Sequence, residues 1–326
     1  MAIGILIGLL GLILMVSGLA RTYPKPPEPS ALPTARIENG SALPPTLTVA
    51  PRSGVSAVRL TIGILLMLIG GGVALFAYAL GTLHFSHGRP VRVGRRPRVG
   101  SRARGTGWHD DARPRTQGMG AWRCARQGER WLAAARAEHA SVPAFRRLEA
   151  QLVALNAPAE LVRRCRAAAA DEVRHARRCF ALARAYSGID WTAGTLRIPD
   201  DEAVELSGVA LESLVDGCVG EGIAADLANA GAQQALDPVI KESLAMIAVD
   251  EAAHAELAWD VLAFCLDRGG AEIEQALLDE LPGLSASASP GPTGVSHATC
   301  KQLSRARLAR VQERLSAMIA VRAECN

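Results

Sequence analysis

Two Glu-x-x-His motifs, Glu172-Val173-Arg174-His175 and Glu251-Ala252-Ala253-His254, stand 79 residues apart, and no third copy occurs in the chain. Each follows an aspartate (Asp171, Asp250) and precedes an alanine. A spacing of three puts carboxylate and imidazole on one face of a helix. That face is the apolar one in both cases. The stripe through Glu172 holds Cys165, Ala168, Ala169, Ala176 and Cys179, and the stripe through Glu251 holds Leu244, Ile247, Ala248, Ala255 and Ala258. A carboxylate aimed into a core is too costly to keep unless something compensates its charge.

Two further glutamates repeat the anomaly. Glu138 sits among Trp131, Ala134, Ala135, Val142 and Phe145, and Glu221 among Leu214, Gly217, Cys218, Ala224, Ala225 and Ala228. Glu138 precedes Glu172 by 34 residues and Glu221 precedes Glu251 by 30, so the second half of the region repeats the first. One Glu from each of two helices and one Glu-x-x-His from each of two others is the donor set of a dinuclear metal site in a four-helix bundle. The spacing therefore predicts Glu138, Glu172, His175, Glu221, Glu251 and His254 as ligands of two metal ions. Four carboxylates neutralise two divalent cations, and imidazole with carboxylate but no thiolate suits iron, with manganese as the alternative. The competing reading is a set of buried ion pairs in which Arg136 or Arg174 neutralises one or two of the glutamates.

The remaining pattern predicts an all-α fold. Apolar residues make up 49% of the chain but aromatics only 4%, which favours Ala/Leu-packed helices over strands. Helix breaks fall at Asn156-Ala157-Pro158, Gly188, Asp237-Pro238 and Gly269-Gly270, with Asp200 a plausible cap for the third helix. Short connections join helices one to two and three to four. The long middle connection reaches ~43 Å when extended, enough for a crossover along the bundle. A Ser/Pro/Gly loop then leads to an amphipathic helix near 299–322, read as a packing or partner helix.

Upstream, residues 1–20 and 61–83 are uncharged and apolar enough to cross a bilayer. The first is a retained span or a signal segment. Residues 21–60 are proline-rich and read as an extracytoplasmic linker. Residues 84–118 are arginine-rich and read as a juxtamembrane linker lying against anionic lipid, with nucleic acid not expected as a partner. Residues 1–118 carry 14 Lys+Arg against 4 Asp+Glu, and nine of those arginines follow the second span. This bias sets the soluble part in the cytoplasm. The organisation expected is two transmembrane helices, the bundle at 119–270, and a loop with the terminal helix at 271–326. Seven widely spaced cysteines without a CxxC pair read as free thiols. His139, about 100° round the helix from Glu138, reads as an edge residue. Tyr186, ~16 Å along the axis from His175, is too distant to serve as a radical tyrosine.

Residues 119–270 resemble the ferritin-like di-iron carboxylate superfamily of rubrerythrins, bacterioferritins and di-iron monooxygenase subunits. Asp171-Glu172-x-Arg174-His175 is similar to the DExRH motif of the monooxygenase branch, and the stretch from Glu138-His139-Ala140-Ser141-Val142 through that motif resembles bacterial ferritin-like domain proteins. The second motif departs from it, with Ala253 in place of Arg. The resemblance implies that Asp171 and Asp250 orient ligand histidines. It also implies a ferritin-like four-helix bundle, two iron ions, and an oxidoreductase using dioxygen or peroxide with an external electron-donor protein. It leaves room for a homodimer. Iron oxidation and buffering, or a non-enzymatic membrane scaffold, are the alternatives. The implied location is the bacterial cytoplasmic membrane with the bundle inside the cell.

Overall fold

A computed structural model describes residues 89–93, 96–196, 204–284 and 291–325. The two apolar segments 1–20 and 61–83, the linker 21–60 and the cap expected at Asp200 lie outside the described residues. Among the described residues no helix is long and apolar enough to cross a membrane.

The described chain is mostly helical. Helix α1 spans Ala121–Ala154 and α2 spans Ala159–Ser187. Next, α3 (Leu206–Glu212), a π-helical segment (Ser213–Glu221) and α4 (Gly222–Gln234) run on as one rod, because the junction residues Ser213 and Gly222 keep helical dihedrals. Helix α5 spans Pro238–Glu280 and α6 spans His297–Cys325.

The breaks have local causes. Asn156 takes a left-handed φ of 53°, a conformation asparagine tolerates, and Ala157 N–H donates back to the Leu152 carbonyl at 2.9 Å. Gly188 closes α2 at φ 68°. The Asp237 carboxylate accepts from the N–H groups of Val239 and Ile240, and Pro238 fills the first turn, where no N–H is needed. Gly270 breaks the backbone of α5 (φ 53°, ψ −133°), but helical structure resumes to Glu280 instead of ending there as the Gly-Gly pair suggests.

Helix α1 packs along α2, and the rod packs along α5. Their apolar stripes form two clusters. One gathers Phe145, Leu148, Cys165, Leu214, Leu227 and Leu262 with their neighbours. The other gathers Trp131, Leu132, Phe180, Leu182, Leu244 and Ile247. Along α1, α2 and α5 the chain passes from one cluster to the other through Glu138, the first motif and the second motif respectively. The glutamates therefore form a polar layer inside an otherwise apolar interior. Helix α6 is laid on this bundle by its arginines: Arg307 and Arg310 pair with Asp226, and Arg314 with Glu256, while its guanidinium stacks on Trp259 at 4.5 Å.

The arginine-rich run departs from the expected tether. Strands β1 (Val91–Val93) and β2 (Arg96–Arg98) form a hairpin, and β3 (Arg102–Arg104) pairs antiparallel with β4 (Trp191–Ala193) of the long crossover. Arg92 makes a two-pronged pair with Asp216 at 2.6 and 2.5 Å, Arg102 pairs with Glu129, and Arg104 stacks on Trp191. Arg89 is 3% exposed. The run is thus an arm fitted to the bundle, and the acidic surface of residues 119–326 is what takes up its charge. Trp108 of the run packs edge-on against His139 at 4.8 Å and against Phe180.

Candidate metal centre

All six sequence-predicted ligand residues meet in one place. Glu138 comes from α1, Glu172 and His175 from α2, Glu221 from the last position of the π segment, and Glu251 and His254 from α5. None is more than 5% exposed. They divide into two sets whose donor atoms lie within 4.8 Å of one another: Glu138, Glu172, His175 and Glu251 in one, Glu172, Glu221, Glu251 and His254 in the other. The two motif glutamates belong to both sets. Each set adds one private glutamate and one private histidine.

Both imidazoles turn the same nitrogen inward. His175 Nδ1 lies 3.5 Å from Glu251, 3.7 Å from Glu138 and 3.8 Å from Glu172. His254 Nδ1 lies 3.3 Å from Glu172 and 3.9 Å from Glu221. The outer nitrogens are held crosswise. His175 Nε2–H donates to Asp250 at 2.9 Å, and His254 Nε2–H donates to Asp171 at 3.3 Å. In the neutral imidazole this tautomer leaves the Nδ1 lone pair free for a cation, which is how an outer carboxylate prepares a ligand histidine. The Arg174 guanidinium bonds both aspartates. One arginine thus serves both motifs, which accounts for Ala253 where the first motif has Arg174.

Neither arginine of the ion-pair alternative reaches the glutamates. Arg174 is spent on Asp171 and Asp250, and Arg136 donates to the Gly100 carbonyl. The inward atoms could hold cations. Both carboxylate oxygens of Glu172, Glu221 and Glu251, and both Nδ1 atoms, have no hydrogen-bond partner among the described residues. Buried, unsatisfied acceptors on this scale need an explanation, and a bound ion supplies one.

Electrostatics point the same way. Burial pushes the Glu172 carboxyl up to about 7, against the partial relief of its histidine contacts. Burial, then the Glu251 charge, pushes Glu221 well above the carboxylate range, and burial followed by the Glu172 charge raises Glu251. Burial would lower both histidines, but Asp250 with Glu138 and Glu172 holds His175 well above its ordinary value. Asp171 with Glu172 does the same for His254. Carboxylates so close cannot all ionise on their own; protons or metal ions must hold them together.

The local sequence explains the approach of the rod to α5. A Cβ on Gly217 would stand 2.2 Å from that of Ala258, so only glycine lets the π segment bring Glu221 beside Glu251. The π segment itself carries no sequence signature that the 3.6-residue pattern would reveal; such segments often mark functional sites.

The other candidates fall outside the cluster. His139 is half-buried, with its pKa lowered by burial. Cys179 lines a cavity of about 20 Å³ that reaches Glu138, with Trp131, Ala134, Ala224, Leu244 and Ile247 among its other walls. Burial lifts the Cys165 thiol to about 11 and raises Cys179 well above the thiol range, so both stay protonated. Sequence reasoning missed Arg174 as the tie between the two aspartates and Arg89 as a buried cation. No protein-family model, curated protein or solved structure matches the chain, so function has to be read from these side chains.

Proposed function

We propose that the chain is a membrane-anchored, ferritin-like protein whose bundle holds two metal ions, iron by its donor set, and that it acts as an oxidoreductase on dioxygen or peroxide. The observation that carries this reading is the sharing of Glu172 and Glu251 between two four-residue donor sets. A buried ion pair has no use for that arrangement, whereas two adjacent cations need it.

Glu138 and His175 would hold one ion, Glu221 and His254 the other, and Glu172 and Glu251 both. Held by these residues, two ferrous ions would supply two electrons to an oxygen species. Asp250 and Asp171 fix the imidazole orientations, and Arg174 holds the two aspartates. The apolar clusters on either side exclude water and raise the strength of every charge interaction between them. The interior thiols are protonated and Tyr186 lies beyond the cluster, so electrons for repeated turnover come from a separate donor protein. Attachment to the bacterial cytoplasmic membrane, with the bundle inside the cell, rests on the apolar segments 1–20 and 61–83 and the arginine bias after them.

Iron oxidation and buffering is the second reading, and the cavity beside Glu138 favours it. A volume of about 20 Å³ has room for about one water-sized molecule. Oxygen or peroxide consumption by the reduced, iron-loaded full-length protein tests the class. Turnover that continues with an added electron donor marks the oxidoreductase. Consumption only in step with added Fe(II) marks the ferroxidase. Neither, in a protein that binds iron, removes both.

A further inference from the structure

The arm contributes a charge that the metal reading does not use. Arg89 is 3% exposed, and its guanidinium carbon lies 5.4 Å from the centre of the Phe145 ring. That ring lies 5.0 Å from the ring of His254. Gly217 makes room for it: a Cβ there would meet Arg89 Nη2 at 2.8 Å. The carboxylates nearby on the rod are taken, Asp216 by Arg92 and Glu212 by Arg147. Among the described residues Arg89 has no ion pair, and its Nε has no acceptor.

Arginine is a permanent cation, and a buried cation without a partner is costly. Arg89 lies against Gly217, four residues before Glu221 on the rod, and beside the Phe145 ring that touches His254, so its charge stands on that side of the cluster. Two divalent ions would cancel the four glutamates, Asp171 and Asp250 with Arg174 would leave one negative charge behind the imidazoles, and Arg89 would stand without a carboxylate in contact among the described residues. Resting on the two-metal reading, we infer that Arg89 makes the Glu221/His254 half of the loaded centre a binding site for a small monoanion of the formate or azide class, and weakens the same half for the incoming cation.

The two effects have opposite signs, which separates charge from packing. The test uses the full-length protein, cobalt(II) as the metal probe and azide as the anion, both read by visible absorption. Arg89→Met should bind the second cobalt about tenfold more tightly and azide about tenfold more weakly, while Arg89→Lys stays within about twofold of wild type. If Arg89→Met does not fold, Arg89→Gln removes the charge with a polar side chain kept and gives the same two readings. Metal and anion affinities that fall together would assign Arg89 to packing and overturn the inference. So would two unchanged affinities, or a lysine variant that behaves like methionine. A wild-type protein that binds no cobalt would instead remove the two-metal reading beneath it.

Discussion

Asp250, the residue before the glutamate of the second motif, accepts the Nε2 hydrogen of His175 in the first motif at 2.9 Å, and Asp171 accepts that of His254 in return. Each motif thus holds the other's histidine. Glu-x-x-His on one helix is an incomplete unit whose outer partner arrives only when α2 and α5 pack.

Removing one of these acceptors should loosen the metal without unfolding the bundle. Asp250→Ala is expected to weaken metal binding about 10- to 100-fold, read by competition with a chelator. Asp250 is partly exposed and spends its other bond on Arg174, so the melting temperature of the metal-free protein should move little.

The shared and private glutamates should behave differently. Glu138→Ala takes a donor from one set only, and Glu251→Ala from both. The first variant is expected to keep about one tightly bound ion and the second to lose both. Metal content after gel filtration distinguishes them.

Acid should stabilise the metal-free protein. The folded-state value of Glu172 is raised from 4.5 to about 7, so the folded chain holds a proton that the unfolded chain has released. That stability is complete below the unfolded value and is lost as pH rises from 4.5 through about 7. The raised histidines act with the same sign. Metal must displace these protons, so its affinity rises with pH. The gap in melting temperature between loaded and metal-free protein should therefore widen from mild acid to neutrality.

Gly217→Ala should cost about 1–3 kcal/mol by overpacking, because the new methyl meets Ala258 at 2.2 Å. Pushing the rod from α5 also separates Glu221 from Glu251, so the loss should be larger for the loaded protein than for the metal-free one. Paired thermal melts measure both.

The six inward residues were legible because helical periodicity exposes a charged residue in an apolar stripe: Glu138 among Trp131, Ala134 and Phe145 cannot be mistaken for surface. The helix ends were legible where a specific residue sets them, as at Asn156, Gly188 and Asp237. What stayed hidden has no periodic signature. The π segment offers only small residues, Gly217 and Gly220, to a pattern that assumes 3.6 per turn. The arm reads as a charge tract, because nothing local distinguishes Arg89, which enters the interior, from Arg98, which faces solvent. Gly269-Gly270 signals a break correctly but cannot say that helix resumes after it. The partners of Arg92 and Arg102, Asp216 and Glu129, lie far along the chain, and only the tertiary fold selects them.

The central claim is a two-metal centre, and metal content tests it directly. Full-length protein purified anaerobically in detergent, with its arm intact, should carry about two ions per chain, predominantly iron under the proposed function. The Glu172→Ala plus Glu251→Ala variant should fold and carry none. A folded wild-type protein with no bound metal, whose stability is unchanged or raised by that double substitution, would contradict the account and leave a scaffold with a buried cluster of protonated acids.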